Sequence, residues 1–186
     1  MNVKELSTAL KREQIDFRVG STGLTKGGDG WCTILAYKDA RTDMQVLDDV
    51  LGPFNWCNEY RRDSKGVLQC GIGIYDDESP SKGFVWKWSN GTPSAFESEK
   101  GEYSDAFKRA GFMVGIGRQL YDFPQIYIML TEKDWYKDGK GNMRMAAKFR
   151  PNDWEWEISD NYQDVTATRK FGSTKKVVFQ SKPYKK

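Results

Sequence analysis

One segment of the sequence combines the spacing of a helix with residues that helices usually avoid. Residues 99–121 (EKGEYSDAFKRAGFMVGIGRQLY) repeat apolar side chains every three to four positions, which predicts a long helix with one face on a core. Each glycine inside a helix costs about 1 kcal/mol relative to alanine. We therefore expect a neighbouring sheet or the backbone of a ligand to approach closely at Gly111, Gly115 and Gly117.

A basic pair, Lys108 and Arg109, lies in the middle of this segment. Two adjacent cations beside a closely packed surface are suited to holding a chain of phosphates. The alternative is an ordinary solvated pair on the exposed side of the helix. The segment by itself favours neither reading.

The charge of the chain is distributed unevenly. Its 186 residues fit one domain of ordinary size, and a formal net charge of +3 is too small to identify a polyanionic partner. Residues 165–186, however, contain seven lysines or arginines and no acid. We interpret them as a basic tail that is either a solvated, disordered end or an arm that binds a polyanion.

The sequence contains no histidine, and its three cysteines have no CxxC spacing. Nucleophilic sites that depend on histidine are therefore excluded, and no GxxxxGK[ST] phosphate loop is present. We expect the cysteines to be buried free thiols in a reducing compartment. The polar first ten residues and the lack of an apolar run of about 20 residues predict a soluble intracellular protein.

The periodicity along the chain predicts an α+β fold, in which a long helix packs across one face of an antiparallel meander of three strands in a curved sheet. The predicted elements are a helix (2–14), a strand (15–19), a glycine-rich loop (20–30), a strand (31–37), a helix (40–51), three strands (55–62, 67–75, 83–88), the long helix and a strand (125–130). Asp39 is the expected N-cap of the second helix.

Three segments of the chain resemble the single-strand annealing proteins of the Rad-fifty-two type, and most closely their bacteriophage Sak branch. The segments are IDFRVGSTGLTKGGDGWCTILAYKDAR, LDDVLGPFNWCNEYRR and AFKRAGFMVGIGRQLY, and they follow in the order of the family. They lie within residues 15–121, which is about the whole annealing core. We therefore predict an annealing core over 1–124, an irregular C-terminal extension over 125–164 and the basic tail over 165–186.

The resemblance implies a β-β-β-α core that assembles into an oligomeric ring or helical filament. It implies that single-stranded DNA (ssDNA) lies in a basic groove, with its backbone held inward and its bases free to pair with a second strand. The implied function is ATP-independent annealing in phage homologous recombination, in the bacterial host cytoplasm, without cofactor, metal or covalent chemistry. A phage exonuclease and a single-strand-coating protein are potential partners.

The resemblance also implies which residues bind ssDNA. The groove arginine that precedes the glycine loop matches Arg18, and the tyrosine that closes the following strand matches Tyr37. The lysine and arginine of the family's helix match Lys108 and Arg109.

The chain departs from the family at one groove position. A further basic residue of the eukaryotic members corresponds to Phe112 here, so that Arg41 or Arg118 would have to substitute for it. For the family's second DNA site, Lys82 and Lys100 are the available candidates.

Two other functions fit the sequence. A protective ssDNA-binding protein would use the same cations but would not pair strands. A metal-dependent nuclease would use the acidic residues at 48–49 and 76–78, which otherwise suit an exposed helix face and a hairpin turn.

Aromatic residues are more numerous than one core of this size needs, with seven tryptophans and nine tyrosines. We expect Trp31, Trp56, Trp86 and Trp88 in the core or in contacts between subunits.

Overall fold

The computed structural model describes residues 2–76, 80–92 and 98–181 of the chain. Helices occur together with antiparallel sheets, which confirms the predicted α+β class. The chain divides into two units, the first made of Met1–Gln14 and Lys38–Arg118, the second of Ile15–Tyr37 and Gln119–Lys186. In the described part, no helix is both long and apolar enough to cross a membrane.

The helices and strands follow in this chain order: β1 (Asp16–Leu24), β2 (Gly30–Tyr37), α1 (Ala40–Leu51), β3 (Trp56–Arg62), β4 (Leu68–Tyr75), β5 (Phe84–Asn90), α2 (Ser98–Val114), β6 (Ile126–Met129), β7 (Trp135–Lys137), β8 (Met143–Met145), β9 (Glu155–Ile158), β10 (Val165–Phe171) and β11 (Thr174–Gln180).

The first unit is built around the antiparallel sheet β3-β4-β5, with α2 packed against β4 and β5. Strand residues alternate between the two faces of a sheet. Leu68 and Ile72 of β4 therefore share one face, where they are fully buried together with Phe107 and Ala110 of α2. This apolar layer is the core of the first unit.

Helix α1 begins and ends as its sequence predicts. The Asp39 side chain accepts a hydrogen bond from the Arg41 backbone N–H at 2.8 Å, which caps the first turn. The helix ends at Leu51, and Gly52 follows with a φ of 83°, in the left-handed region that favours glycine. The predicted helix over 40–51 and its N-cap are confirmed.

The helix predicted over residues 2–14 is wrong. The chain forms two short 3-10 turns there, Val3–Ser7 and Arg12–Gln14, because the backbone is extended at Thr8 with a ψ of 145°. Leu6 and Leu10 are still buried, so the apolar spacing correctly indicated which residues face the core but did not indicate the conformation of the backbone.

The second unit contains the sheet β1-β2-β6, the sheet β9-β10-β11 and the hairpin β7-β8. Its core includes the ring of Phe17, which stacks on Trp156 with centroids 3.7 Å apart. The Phe17 N–H also donates to the Asn152 side-chain oxygen at 2.9 Å. These contacts join β1 to residues far along the chain.

The loop predicted over residues 20–30 is largely strand, because β1 continues to Leu24 and β2 begins at Gly30. A Cβ on Gly20 would lie 2.9 Å from Leu35 Cγ, and a Cβ on Gly23 would lie 2.6 Å from Trp31 Cζ2. The two glycines therefore make room for large side chains on the neighbouring strand.

The structure divides the chain differently from the predicted core, extension and tail. Strand β2 pairs with β6, so the first hairpin belongs to the unit that contains the C-terminal region. The extension expected to be irregular contains β6 to β9, and residues 165–180 of the expected tail form the hairpin β10-β11. This hairpin is anchored by Val165 and Ala167, which are buried. Residues 182–186 of the tail lie outside the described residues.

Candidate nucleic-acid interface

The helix predicted over residues 99–121 is shorter in the structure and ends at Val114. Gly115 has a φ of 119°. Its N–H donates to the Phe112 carbonyl at 3.2 Å, and the Ile116 N–H donates to the Gly111 carbonyl at 3.0 Å. These two bonds are the usual termination of a helix by a left-handed glycine, and they satisfy carbonyls that the last turn leaves without partners.

An ion pair that the sequence did not reveal lies beneath this helix. The Lys38 ammonium contacts Asp43 Oδ1, and the two residues are only 2% and 0% exposed. Lys38 Nζ also donates to the Lys108 carbonyl at 3.3 Å and lies 4.5 Å from the centroid of the Phe112 ring. The first turn of α1 is thereby joined to the middle of α2.

This ion pair makes the close approach expected at two glycines of residues 99–121, Gly111 within α2 and Gly117 beyond its end. A Cβ on Gly111 would lie 2.7 Å from Asp43 Oδ1, and a Cβ on Gly117 would lie 2.7 Å from Lys38 Cδ. The chain's own buried charges therefore occupy the space expected for a sheet or a ligand, and that expectation is wrong for these two glycines.

Burial is the largest influence on the pKa of both Lys38 and Asp43. It raises the pKa of Asp43 to about 6, although the positive charge of Lys38 opposes the shift. Burial also lowers the pKa of Lys38, although Asp43 opposes that shift. The second carboxylate oxygen of Asp43 is buried and accepts no hydrogen bond from the described residues.

Lys108 and Arg109 lie on α2 in different electrostatic settings. The Lys108 ammonium forms no ion pair or hydrogen bond with the described residues, and its side chain is half-buried. Arg109 Nε donates to Asp105 Oδ2 at 2.8 Å, and the Arg109 side chain is 52% exposed. An exposed pair of this kind contributes less than about 1 kcal/mol, so Arg109 can exchange Asp105 for another anion at small cost.

Arg41 and Arg118 lie at the ends of the two helices. Arg41 is exposed in the first turn of α1, two residues from the buried Asp43. Arg118 is exposed too, but its guanidinium donates to the carbonyls of Phe112 and Met113 at 2.8 and 3.0 Å. Arg118 therefore caps the negative end of α2, which gives it a structural role.

The remaining two predicted site residues belong to the second unit and contact each other. The Arg18 guanidinium lies 5.6 Å from the centroid of the Tyr37 ring. Arg18 is exposed on β1, and Tyr37 is half-buried at the end of β2. The structure thus joins Arg18 to Tyr37 in one unit. In the other unit it places Arg41 on α1, Lys108 and Arg109 on α2, and Arg118 just beyond the end of α2. We call these four residues the cationic patch.

Two of the four tryptophans singled out in the sequence lie side by side on β5. Trp86 and Trp88 have ring centroids 5.6 Å apart. They lie over Gly73 and Gly71, where added Cβ atoms would come within 2.9 and 2.7 Å of the rings. The Arg61 guanidinium lies 3.7 Å from the centroid of Trp88.

These residues lie on the face of the sheet opposite to α2. The neighbouring β3 residues Trp56 and Tyr60 point to the other face, where they contact Phe107 and Tyr103 of α2. Phe84 continues the row on β5, 6.2 Å from Trp86. We call Arg61, Phe84, Trp86 and Trp88 the aromatic face.

Trp31 and the three cysteines were also singled out in the sequence. Trp31 stacks on Tyr127 with centroids 5.3 Å apart, and all four singled-out tryptophans are half-buried. Cys32 and Cys70 are buried free thiols, as predicted, and burial raises the pKa of Cys32 to about 12. Cys57 is also a free thiol but is only half-buried.

The acidic residues considered for a metal site have other contacts where they are described. Asp48 accepts a hydrogen bond from Trp56 Nε1 at 2.8 Å, and Asp49 accepts one from Gln45 at 2.7 Å. Residues 77–79 lie outside the described part, as do the side chains of Lys82 and Lys100. Among the described residues, no group of three or more Cys, Asp or Glu is arranged to hold a metal ion.

Comparison with known proteins identifies no similar protein from which a function could be inferred. No protein-family model, no curated protein and no solved structure matches the chain significantly. The resemblance to the Rad-fifty-two type therefore stays a prediction that depends on three segments of sequence.

Proposed function

We propose that this protein binds ssDNA and anneals complementary strands without ATP, as the resemblance implies. The observation that supports the proposal most directly is the scarcity of ion pairs in the cationic patch, where Arg109 with Asp105 is the one pair among the described residues. Asp43, an acid buried beneath α2, is paired with Lys38, and the Lys108 ammonium forms no ion pair or hydrogen bond with the described residues. The patch therefore keeps positive charge that can neutralise phosphates.

The chemistry of annealing suits a surface of this kind. Lysine and arginine that neutralise phosphates release condensed counterions, which supplies affinity without sequence preference. Contacts to the backbone leave the base edges free for a complementary strand. Arg18 and Tyr37 are a second set of candidate contacts, since an arginine and an aromatic ring suit the phosphate and the sugar or base of one nucleotide.

Assembly into a ring or filament is part of the proposal, because one patch alone can hold only a few nucleotides. Copies that act on one strand multiply weak contacts through effective concentration. In this proposal β3, β4, β5 and α2 are the β-β-β-α core, and the aromatic face contacts a second copy. Tryptophan, phenylalanine and arginine are enriched at the centres of protein interfaces, and they dominate this face.

The experiment that tests the proposal mixes two complementary oligonucleotides, labelled with a donor and an acceptor dye, with and without the protein. An annealing protein increases the rate of pairing over that of the free strands. A protective binding protein, the second candidate, decreases it. The cellular setting that we propose is phage recombination in the bacterial cytoplasm, beside an exonuclease that produces single strands.

A further inference from the structure

The end of the hairpin β10-β11 projects from the second unit with both faces open. Every residue from Lys170 to Val177 is exposed, although successive strand residues point to opposite faces. Gly172, with a φ of 62°, begins a two-residue turn between Phe171 and Thr174. Glycine at this position of a two-residue turn matches the twist of the flanking strands and holds the ribbon in shape.

The pairing of the two strands brings like charges together. Lys170 lies opposite Lys175, and Arg169 lies opposite Lys176. Like charges directly opposite each other destabilise a sheet. The stability of the hairpin therefore does not explain why four cations lie in these two facing pairs.

One of these four cations, Arg169, is neutralised by a buried acid of the chain. Arg169 is only 13% exposed at its side chain and forms an ion pair with Asp134 at 2.6 Å. Its guanidinium also lies 4.9 Å from the ring of Phe149 and 4.8 Å from that of Phe171. Arg169 thus anchors the base of the ribbon.

The three lysines remain accessible. Lys175 pairs with Glu155 at 2.7 Å, but the two side chains are 56% and 50% exposed, and such pairs contribute little. Lys170 and Lys176 form no ion pair with the described residues. Because Lys170 and Lys175 share one face and Lys176 points to the other, the ribbon carries positive charge on both sides.

We propose that this basic hairpin, residues 169–176, inserts into the groove of a nucleic-acid duplex. A two-stranded ribbon fits the B-DNA major groove, which is about 12 Å wide and has phosphates along both walls. Cations on both faces suit two walls of phosphate, whereas a flat membrane surface would contact only one face. The choice of ligand rests on the proposed function, in which a duplex is the product of annealing.

The test compares two triple variants of the full chain. Lys170→Ala/Lys175→Ala/Lys176→Ala removes the exposed lysines of the hairpin. The matched control Lys133→Ala/Lys137→Ala/Lys140→Ala removes three exposed lysines of the same unit, with the same change in net charge. Fluorescence anisotropy measures the binding of a duplex and of an oligothymidylate over a range of salt concentrations.

The hairpin variant should bind the duplex at least about tenfold more weakly than the control, with a salt slope smaller by up to about 2.7, or 0.9 per lost phosphate contact. Its affinity for oligothymidylate should change less than about threefold, since the cationic patch is intact. Removing lysines that repel each other should not unfold the hairpin, and circular dichroism checks this.

Equal losses of duplex affinity in the two variants, or no duplex binding by the parent chain, would overturn the inference. So would binding to vesicles containing phosphatidylserine that the hairpin variant alone loses, because the ligand would then be a membrane surface. Duplex binding that depends on the hairpin, in a chain that binds no oligothymidylate, would support the inference and contradict the proposed function.

Discussion

The buried pair of Lys38 and Asp43 joins the first turn of α1 to the middle of α2. Lys38 pairs with Asp43, and the Lys108 ammonium forms no ion pair or hydrogen bond with the described residues. The hydrogen bond of Lys38 to the Lys108 carbonyl and its contact with the Phe112 ring hold α2 at a fixed place on α1. A cation at position 112 would meet the Lys38 ammonium, which lies 4.5 Å from the centroid of the Phe112 ring.

The cationic patch predicts how the affinity for ssDNA depends on salt concentration. Lys108→Ala with Arg109→Ala should weaken ssDNA binding by about tenfold or more and should lower the salt slope by about 1.4, or 0.7 for each lost phosphate contact on a single strand. Titration of labelled oligothymidylate at several salt concentrations measures the affinity and the slope. The control, Lys65→Ala with Lys87→Ala, removes two exposed lysines of the same unit and should change the slope little. Equal salt slopes for the two variants would show that Lys108 and Arg109 do not contact the phosphates of ssDNA.

The pKa of Asp43 predicts a dependence of stability on pH. Burial raises this pKa to about 6, above the unfolded value of about 3.9. Between these values the folded chain holds a proton that the unfolded chain has lost, so the stability from this group is present at low pH and is lost as the pH rises. From about pH 4 to about pH 6, the chain should lose on the order of 1 to 3 kcal/mol of unfolding free energy relative to Asp43→Asn.

Urea unfolding of both proteins at several pH values measures this difference. A constant difference across this range would show that Asp43 does not hold its proton in the folded state.

At the scale of secondary structure, the contact between α1 and α2 depends on the absence of a side chain at Gly111. Gly111→Ala should destabilise the chain by about 1 to 3 kcal/mol, although alanine favours a helix, because the new Cβ would displace Asp43 from Lys38. Gly139→Ala is the control, since a Cβ there would meet no atom within 4 Å. Chemical denaturation of both variants gives the comparison. A Gly111→Ala protein as stable as the parent would mean that the contact can relax.

Helix α2 illustrates what periodicity can and cannot predict. The spacing of Phe107, Ala110 and Val114 correctly indicated a helix, but it continued through Gly117 to residue 121. The helix ends earlier, at Val114, because Gly115 adopts a left-handed conformation and the Lys38 side chain occupies the space beside Gly117. A lysine that lies almost eighty positions earlier in the sequence cannot be identified from the helix's own spacing.

For the whole molecule, the aromatic face predicts self-association. Trp86→Ala with Trp88→Ala should convert a large assembly into smaller species, because the rings supply most of the apolar area of the face. Sedimentation velocity measures the size. The control, Tyr136→Ala, removes an exposed aromatic ring of the second unit and should leave the assembly unchanged. An assembly of the same size in both variants would show that the aromatic face is not the contact between copies. A monomeric parent chain would contradict the ring or filament.

Local sequence signals determined the class of fold and the elements that short-range rules describe. Asp39 and Gly52 delimit α1 by capping, and the turns around Gly66 and before Gly83 separate β3, β4 and β5, because each signal acts over a few neighbouring residues. The basic pair on α2 was visible for the same reason.

The combination of distant segments could be seen only once the chain was folded. The tertiary structure buried Lys38 with Asp43, and it joined the first hairpin to β6 in the second unit, whereas most of the rest of the predicted core belongs to the first unit. It also made a projecting ribbon of residues expected to be a tail. The free energies that decide these outcomes come from burial and from pairing between residues far apart in the chain, which no local pattern records.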